Sequence, residues 1–311
     1  MKRQLKYKDV LKRVDTETGE IISQEPIAEG ETYRIQDKSK ELTPKQIRYI
    51  NEQDDIKLFN SEMGGFIVLY YNNILYNNKL NLDLATISRC IYLATYMDFN
   101  TNVLVLNGGY ASGQKITPMT KKDIKEVMKL SKGGFCEFFN NIIDNKILIQ
   151  NEDKTFTMNK KYFTKSKDID YKQDFTRVYV DTIRELYQNT NTRQHKTLAY
   201  AFKLLPKMDS QTNIICHNPN DRYKESEKMS LKDIGEFLGI DTEKKNLDKF
   251  KKNLYKIIIY RNGRKYYIFK RVIIESGAGQ NDYFVINPML FYSGNEYQKA
   301  TKTIQSLLIN G

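Results

Sequence analysis

The stretch Met119-Thr120-Lys121-Lys122-Asp123-Ile124 has a near copy further along the chain, Met229-Ser230-Leu231-Lys232-Asp233-Ile234. In each, a hydroxyl residue stands where a helix N-cap belongs and an acid follows three positions later, a capping box with a shortened acid. Each therefore predicts the start of a helix. Beyond the first, Leu130-Ser131-Lys132-Gly133 breaks the pattern, and Phe135, Phe138, Phe139, Ile142 and Ile143 resume at helical spacing. Beyond the second, Leu238-Gly239-Ile240-Asp241 is the break, and Leu247, Phe250, Leu254 and Ile257 follow. Helix, tight turn, helix is predicted twice.

Working outward, each pair leads into strands. Lys146–Gln150 and Thr155–Met158 flank the turn Asn151-Glu152-Asp153-Lys154. In the second copy, strands are predicted over Lys256–Tyr260, Tyr266–Ile274 and Tyr283–Ile286, with Asn262-Gly263 as a hairpin turn. The endings also match, Asn159 leading to Phe163 and Asn287 to Phe291 at the same spacing. Upstream of each pair lies an amphipathic helix, through Leu84, Ile87, Ile91, Leu93 and Ala94 after Asp83, and through Leu198, Phe202 and Leu205 before Pro206. Three helices and a hairpin describe a winged helix-turn-helix. The expected fold is α+β: tandem winged helix-turn-helix modules at 62–168 and 174–294, a β-hairpin appendage within 1–61, and a helical tail at 295–311. The polar segment 164–170 is expected to link the modules.

The residues that carry the repeat also resemble a known group. Met63–Tyr70, Ile91–Tyr96 and Ile286–Gly294 are similar to winged-helix replication and maintenance proteins of plasmids and phages of low-GC Gram-positive bacteria. The likeness is spread over most of residues 62–294 as short motifs. It implies a protein that recognises an origin or operator in double-stranded DNA, and it brings no catalytic set. The tandem layout is also similar to that of iteron-binding plasmid initiators, an analogy of architecture.

Composition agrees with a polyanionic partner. Lys and Arg number 50 against 38 Asp and Glu, a formal net charge of +12 over 311 residues. No apolar run approaches the roughly 20 residues of a membrane span. The basic start Met1–Lys6 does not lead into an apolar h-region, so no secretion signal is expected there. Cys90, Cys136 and Cys216 are too scattered for a disulfide framework or a zinc pair, which suggests a reducing cytoplasm and no metal.

In a winged helix-turn-helix the second helix of the pair enters the major groove and the wing lies along the backbone. In the second module this makes Lys244, Lys245, Asn246, Lys249, Lys252 and Lys256 the candidate helix contacts, and Arg261, Arg264, Lys265, Lys270 and Arg271 the wing contacts. Lys neutralises phosphate, whereas Arg can also read guanine bidentately. The first module offers Lys132, Asn140 and Asn141, the asparagines being suited to adenine, beside the repelling Glu137 and Asp144.

Enzymatic readings fare worse. Gly108–Lys115 nearly spells a phosphate-binding loop, but Gln114 holds the lysine position and Ile116 follows Lys115 where a Ser or Thr is needed. A metal-dependent nickase needs paired histidines, yet His195 and His217 lie apart, and Cys216-His217 lacks an evident third group. The expectation is a non-enzymatic duplex-DNA binder without cofactor, acting as initiator or transcriptional regulator. The partner classes it allows beyond DNA are a second copy of the chain and host replication or transcription proteins. The rival is an interaction protein that uses the same modules as a scaffold for a host protein.

Overall fold

The computed structural model describes residues 7–14, 20–28, 43–106, 116–192, 194–219, 221, 226–276, 279–294 and 296–307. Residues 1–49 and 50–311 form two compact units. The first contains an antiparallel pair of β1 (Tyr7–Val14) and β2 (Ile21–Ala28), the strands of the hairpin expected there. A helix that the hydrophobic pattern did not predict, α1 (Pro44–Glu62), follows. It opens on a capping box: the Thr43 N–H donates to Gln46 Oε1 at 2.8 Å, and the Gln46 N–H donates to the Thr43 hydroxyl at 3.2 Å. Proline at the first helical position suits that start, because its missing N–H would have had no partner there.

Residues 50–311 mix α and β. After the last turns of α1 come β3 (Phe66–Leu69), α2 (Tyr71–Leu75), α3 (Leu84–Ala94), α4 (Lys121–Met128), α5 (Lys132–Asp144), β4 (Leu148–Gln150), β5 (Phe156–Met158) and β6 (Phe163–Thr164). A second series repeats the order: β7 (Thr176–Tyr179), α6 (Val180–Asn189), α7 (His195–Lys203), α8 (Leu231–Leu238), α9 (Lys244–Tyr255), β8 (Ile258–Arg261), β9 (Arg264–Tyr267), β10 (Phe269–Ser276), β11 (Gly279–Ile286) and β12 (Phe291–Tyr292). The chain then forms α10 (Tyr297–Ser306).

The duplication seen in sequence reaches individual hydrogen bonds. Thr120 with Asp123 and Ser230 with Asp233 both form complete capping boxes. Their C-caps, Lys129 and Gly239, both take the left-handed conformation that makes the turn between the helices tight. Asn102 and Asn213 are both fully buried with positive φ, of 60 and 56 degrees. Asn102 Nδ2 donates to the Phe163 carbonyl and Asn213 Nδ2 to the Phe291 carbonyl, each at 2.8 Å. Asp98 accepts from the Thr101 hydroxyl and Asp209 from the Thr212 hydroxyl.

The two repeats are not separate bodies on a polar linker. A four-stranded sheet of order β12-β7-β3-β6 takes an inner and an edge strand from each. The inner strands β3 and β7 run antiparallel, with Ile67 opposite Val178 and Val68 opposite Arg177. Thr164, the start of the expected linker, forms the edge strand β6 with Phe163. One contiguous core runs from Phe59 to Ala300. Burying β3 in it, with Ile67, Val68 and Leu69 almost wholly inaccessible, explains the unbroken apolar run of that segment.

Helix α3 packs against α7, joining the repeats a second time. Tyr92 stacks on Tyr187 at 3.7 Å, and Tyr187 stacks on His195 at 4.3 Å. Neither ring nitrogen of the buried His195 has a hydrogen-bond partner. Burial, with Arg89 nearby, depresses the imidazole to about 4 from 6.5. The unfolded chain therefore takes up a proton as pH falls below about 6.5 while the folded chain does not, so stability is lost down to about pH 4. The ceiling of that loss is about 3 kcal/mol, at about 1.4 kcal/mol per pH unit. Chemical denaturation at stepped pH is expected to show this slope, and His195→Phe, which keeps the stack, is expected to flatten it.

The strand expected over Tyr266–Ile274 needs a correction. Tyr266–Ile274 is not one strand, because the buried Ile268 turns inward and its N–H donates to the Ile257 carbonyl at 3.1 Å. This closes β8–β9 as a separate hairpin, with both Asn262 and Gly263 at positive φ as its two-residue turn requires. Asn159 Nδ2 donates to the Lys146 carbonyl, and Asn287 Nδ2 donates to the Tyr267 carbonyl. The counterpart of β4–β5 is thus β10–β11, and β8–β9 is an insertion absent from the first repeat. The tail helix α10 docks through the buried Ala300 and Leu307, and the Tyr267 N–H donates to the Leu307 carbonyl at 3.0 Å.

Among the described residues, no helix is long and apolar enough to cross a membrane. The loop at Gly108–Lys115 lies outside the described residues.

Candidate nucleic-acid interface

Leu247, Phe250 and Leu254 bury one face of α9, which fixes what the opposite face presents. Lys245, Lys249, Lys252 and Lys256 are all exposed, at spacings of four, three and four residues. Those spacings place them in one stripe, about 16 Å long at about 1.5 Å per residue. Lys244 is exposed beside it, in the first turn.

This is a poor way to build a stable helix. Like charges three and four apart repel, by about 0.2–0.5 kcal/mol per pair. Lys244 and Lys245 also oppose the positive end of the helix dipole, and no acid offsets them in the first turn. Glu243 at the N-cap supplies no side-chain cap. Local stability is sacrificed for cationic density, a conflict expected where a surface serves a ligand.

Beside α9 lies a cavity of about 470 Å³ whose lining includes Lys228, Lys232, Lys251 and Arg271 together with Ser230, at the start of α8. A small residue makes the helix pair tight enough to form it: a Cβ on Gly235 would fall 2.6 Å from the Leu247 side chain. Lys232 and Lys251 are paired within their own helices to Glu236 at 3.8 Å and Asp248 at 3.5 Å. Such exposed pairs contribute little and yield readily to a stronger anion. The Lys228 ammonium sits 5.5 Å over the Tyr283 ring of β11. The carboxylate of Asp233 is occupied by the Ser230 cap, whose hydrogen bonds hold it below the usual carboxylate range.

Not every expected contact faces outward with this group. Arg261 is committed internally: its guanidinium pairs with Glu185 and reaches the Thr182 hydroxyl at 3.3 Å, while Glu185 also accepts from the Tyr260 N–H at 2.6 Å. It ties the inserted hairpin to α6. Lys270 is likewise occupied, its ammonium donating to the Ser306 carbonyl at 3.0 Å. Because adjacent strand residues point to opposite faces, Lys270 and Arg271 cannot serve one ligand together. Asn246 donates to Asp241 at 2.9 Å and shapes the start of α9. Arg264 and Lys265 remain exposed on the insertion, and Arg271 remains exposed on β10.

Replacing Arg261 by Ala leaves Glu185 half-buried without its partner. A stability loss of about 1–3 kcal/mol is expected in denaturant titration.

On α5, the counterpart of α9, Lys132, Glu137, Asn140 and Asp144 are exposed. This face is close to neutral. Asn141 is turned to structural work, its Oδ1 accepting from Asn145 Nδ2 at 2.8 Å and its own amide donating to the Asn81 carbonyl at 3.5 Å.

Three of the cations around the groove, Lys228, Lys232 and Lys251, were absent from the contacts expected from sequence. Lys232 lies inside the repeated motif itself and Lys251 two turns after Lys244, on the flank of α9 away from the stripe, and they meet at one cavity only through the packing of α8 on α9. As for nucleophiles, burial raises the Cys216 thiol to about 11, which keeps it protonated, and His217 lies 3.5 Å from Asp233 at the cap of α8. Among the described residues, no cluster of His, Cys, Asp and Glu is fit to hold a metal ion. Comparison with protein-family models, curated protein sequences and solved structures finds no match to this chain.

Proposed function

We propose that the chain is a non-enzymatic, sequence-specific binder of double-stranded DNA, acting in the cytoplasm as replication initiator or transcriptional regulator of a plasmid or phage. In this reading each repeat is a winged helix-turn-helix. Helices α4 and α8 are the positioning helices, α5 and α9 enter or face the groove, and β4–β5 and β10–β11 are the wings.

The observation that carries the reading is the density of exposed cations on the second repeat, in the α9 stripe on one side of that helix and around the cavity on its Lys251 flank. The α9 stripe, the start of α8 and Arg271 of β10 supply lysines for phosphate and an arginine able to read a base. The inserted hairpin adds the exposed Arg264 and Lys265. Phosphate contacts fix register, and base contacts then discriminate. The near-neutral α5 suits a lesser DNA role, or a second copy or host protein as partner.

The test is selection of bound fragments from the source genome, followed by footprinting. Recovery of a short shared sequence, protected by the wild type and lost with Arg271→Ala, supports sequence-specific recognition. Recovery of fragments without a common sequence contradicts it.

A further inference from the structure

A second cavity, of about 610 Å³, is lined from both repeats and shares no residue with the cationic groove. Its size falls within the range of small-molecule sites, roughly 300–1,000 Å³. Apolar lining comes from Phe66 and Val68, which share a face of β3, and from Phe99 beyond α3.

Two cations belong to the same lining. Lys165 is only 5% exposed, and its ammonium donates to the Met97 carbonyl at 2.8 Å. Arg184 of α6 is fixed by two bonds to Thr95, from Nε to the hydroxyl at 3.1 Å and from Nη2 to the carbonyl at 2.9 Å, with its guanidinium 4.3 Å over Tyr96. Burial first, and Arg184 second, hold the Lys165 ammonium down to about 8, while Asp98 opposes them. An anion placed at both would meet an ammonium and a guanidinium that the fold already holds in position. Asp181 is the acid on the lining, its carboxylate packed so closely on Gly64 that a Cβ there would fall 2.2 Å from it. With that carboxylate packed at Gly64, an anionic head is placed at Lys165 and Arg184 and not at the Gly64 end.

We propose that this cavity binds a small organic anion with a flat apolar body, its head group on Lys165 and Arg184 and its body against Phe66, Val68 and Phe99. Phe66, Val68, Phe99 and Lys165 come from the first repeat and Arg184 from the second, so occupancy stabilises the joint between them by linkage.

The experiment is calorimetric titration of the full chain with phenyl phosphate, benzoate and inorganic phosphate, independent of any DNA. Saturable binding of phenyl phosphate, about tenfold tighter than inorganic phosphate, is expected, and the benzoate arm tells a phosphate head from a carboxylate head. Lys165→Met is expected to weaken phenyl phosphate by about tenfold or more. Phe99→Ala, at a ring 41% exposed, is expected to bring phenyl phosphate down towards inorganic phosphate while the chain keeps its melting temperature. That variant decides the matter even where Lys165→Met unfolds the chain. Failure of both aryl anions to saturate by about 10 mM, or equal binding of phenyl and inorganic phosphate, would overturn the proposal.

Discussion

Replacing Lys245, Lys249 and Lys252 together by Ala is expected to weaken binding to specific and scrambled duplexes alike, by two to three orders of magnitude near ~0.1 M salt. The size follows from counterion release. Each phosphate neutralised contributes about 0.9 to the slope of log affinity against log salt, hence about 0.9 decade at ~0.1 M relative to 1 M. Three contacts make that nearly three decades, and the slope itself should fall by about 3. Helix stability should if anything improve, since repulsion along the stripe is relieved. Removing Lys299 and Lys302 from α10 is a control for loss of charge elsewhere, and it should alter the slope little. Fluorescence titrations at several salt concentrations measure both. If the triple variant kept the wild-type slope, α9 would not be a phosphate-contacting helix.

The second large effect is expected at the paired asparagines. Asn102→Ala removes the amide that donates to the Phe163 carbonyl at 2.8 Å and the oxygen that accepts the Lys165 N–H at 3.1 Å. Both backbone groups would be left in the interior, at about 1–3 kcal/mol each. A left-handed conformation adds about 1 kcal/mol for a residue other than Gly or Asn. A total of about 3–7 kcal/mol is expected in urea unfolding, a large share of the stability of an ordinary domain. Asn213→Ala, which loses the bond to the Phe291 carbonyl, should cost less but should fall in the same cooperative transition, because the repeats share a sheet and a core. Two separate transitions would mean that the repeats fold independently.

What the sequence made legible was local. The capping residues Thr120 with Asp123 and Ser230 with Asp233, and the apolar spacing after them, place both helix pairs because each signal acts within one or two turns. The shared sheet was not legible. Strands of two to four residues, with partners such as Phe66 and Tyr179 far apart in sequence, leave no hairpin turn to announce them. The inserted hairpin was half visible. Asn262-Gly263 marked its turn, but the inward bend at Ile268 depends on a hydrogen bond to Ile257 that no local pattern encodes.

The site divides the same way. Periodicity on α9 separates the exposed lysines from Leu247, Phe250 and Leu254, so Lys245, Lys249, Lys252 and Lys256 could be placed without coordinates. Arg261 and Lys270 could not, because their partners Glu185 and Ser306 come from elements distant in sequence. Lys228 joins the groove only through the approach of α8 to β11.

The most direct measurement of the central claim is the affinity of the wild-type chain for a selected duplex as salt rises from about 50 to 200 mM. With six to ten phosphate contacts, a fall of roughly 10³ to 10⁵ is expected. A flat response would contradict the DNA reading and leave the basic face of the second repeat to a partner that is not a polyanion.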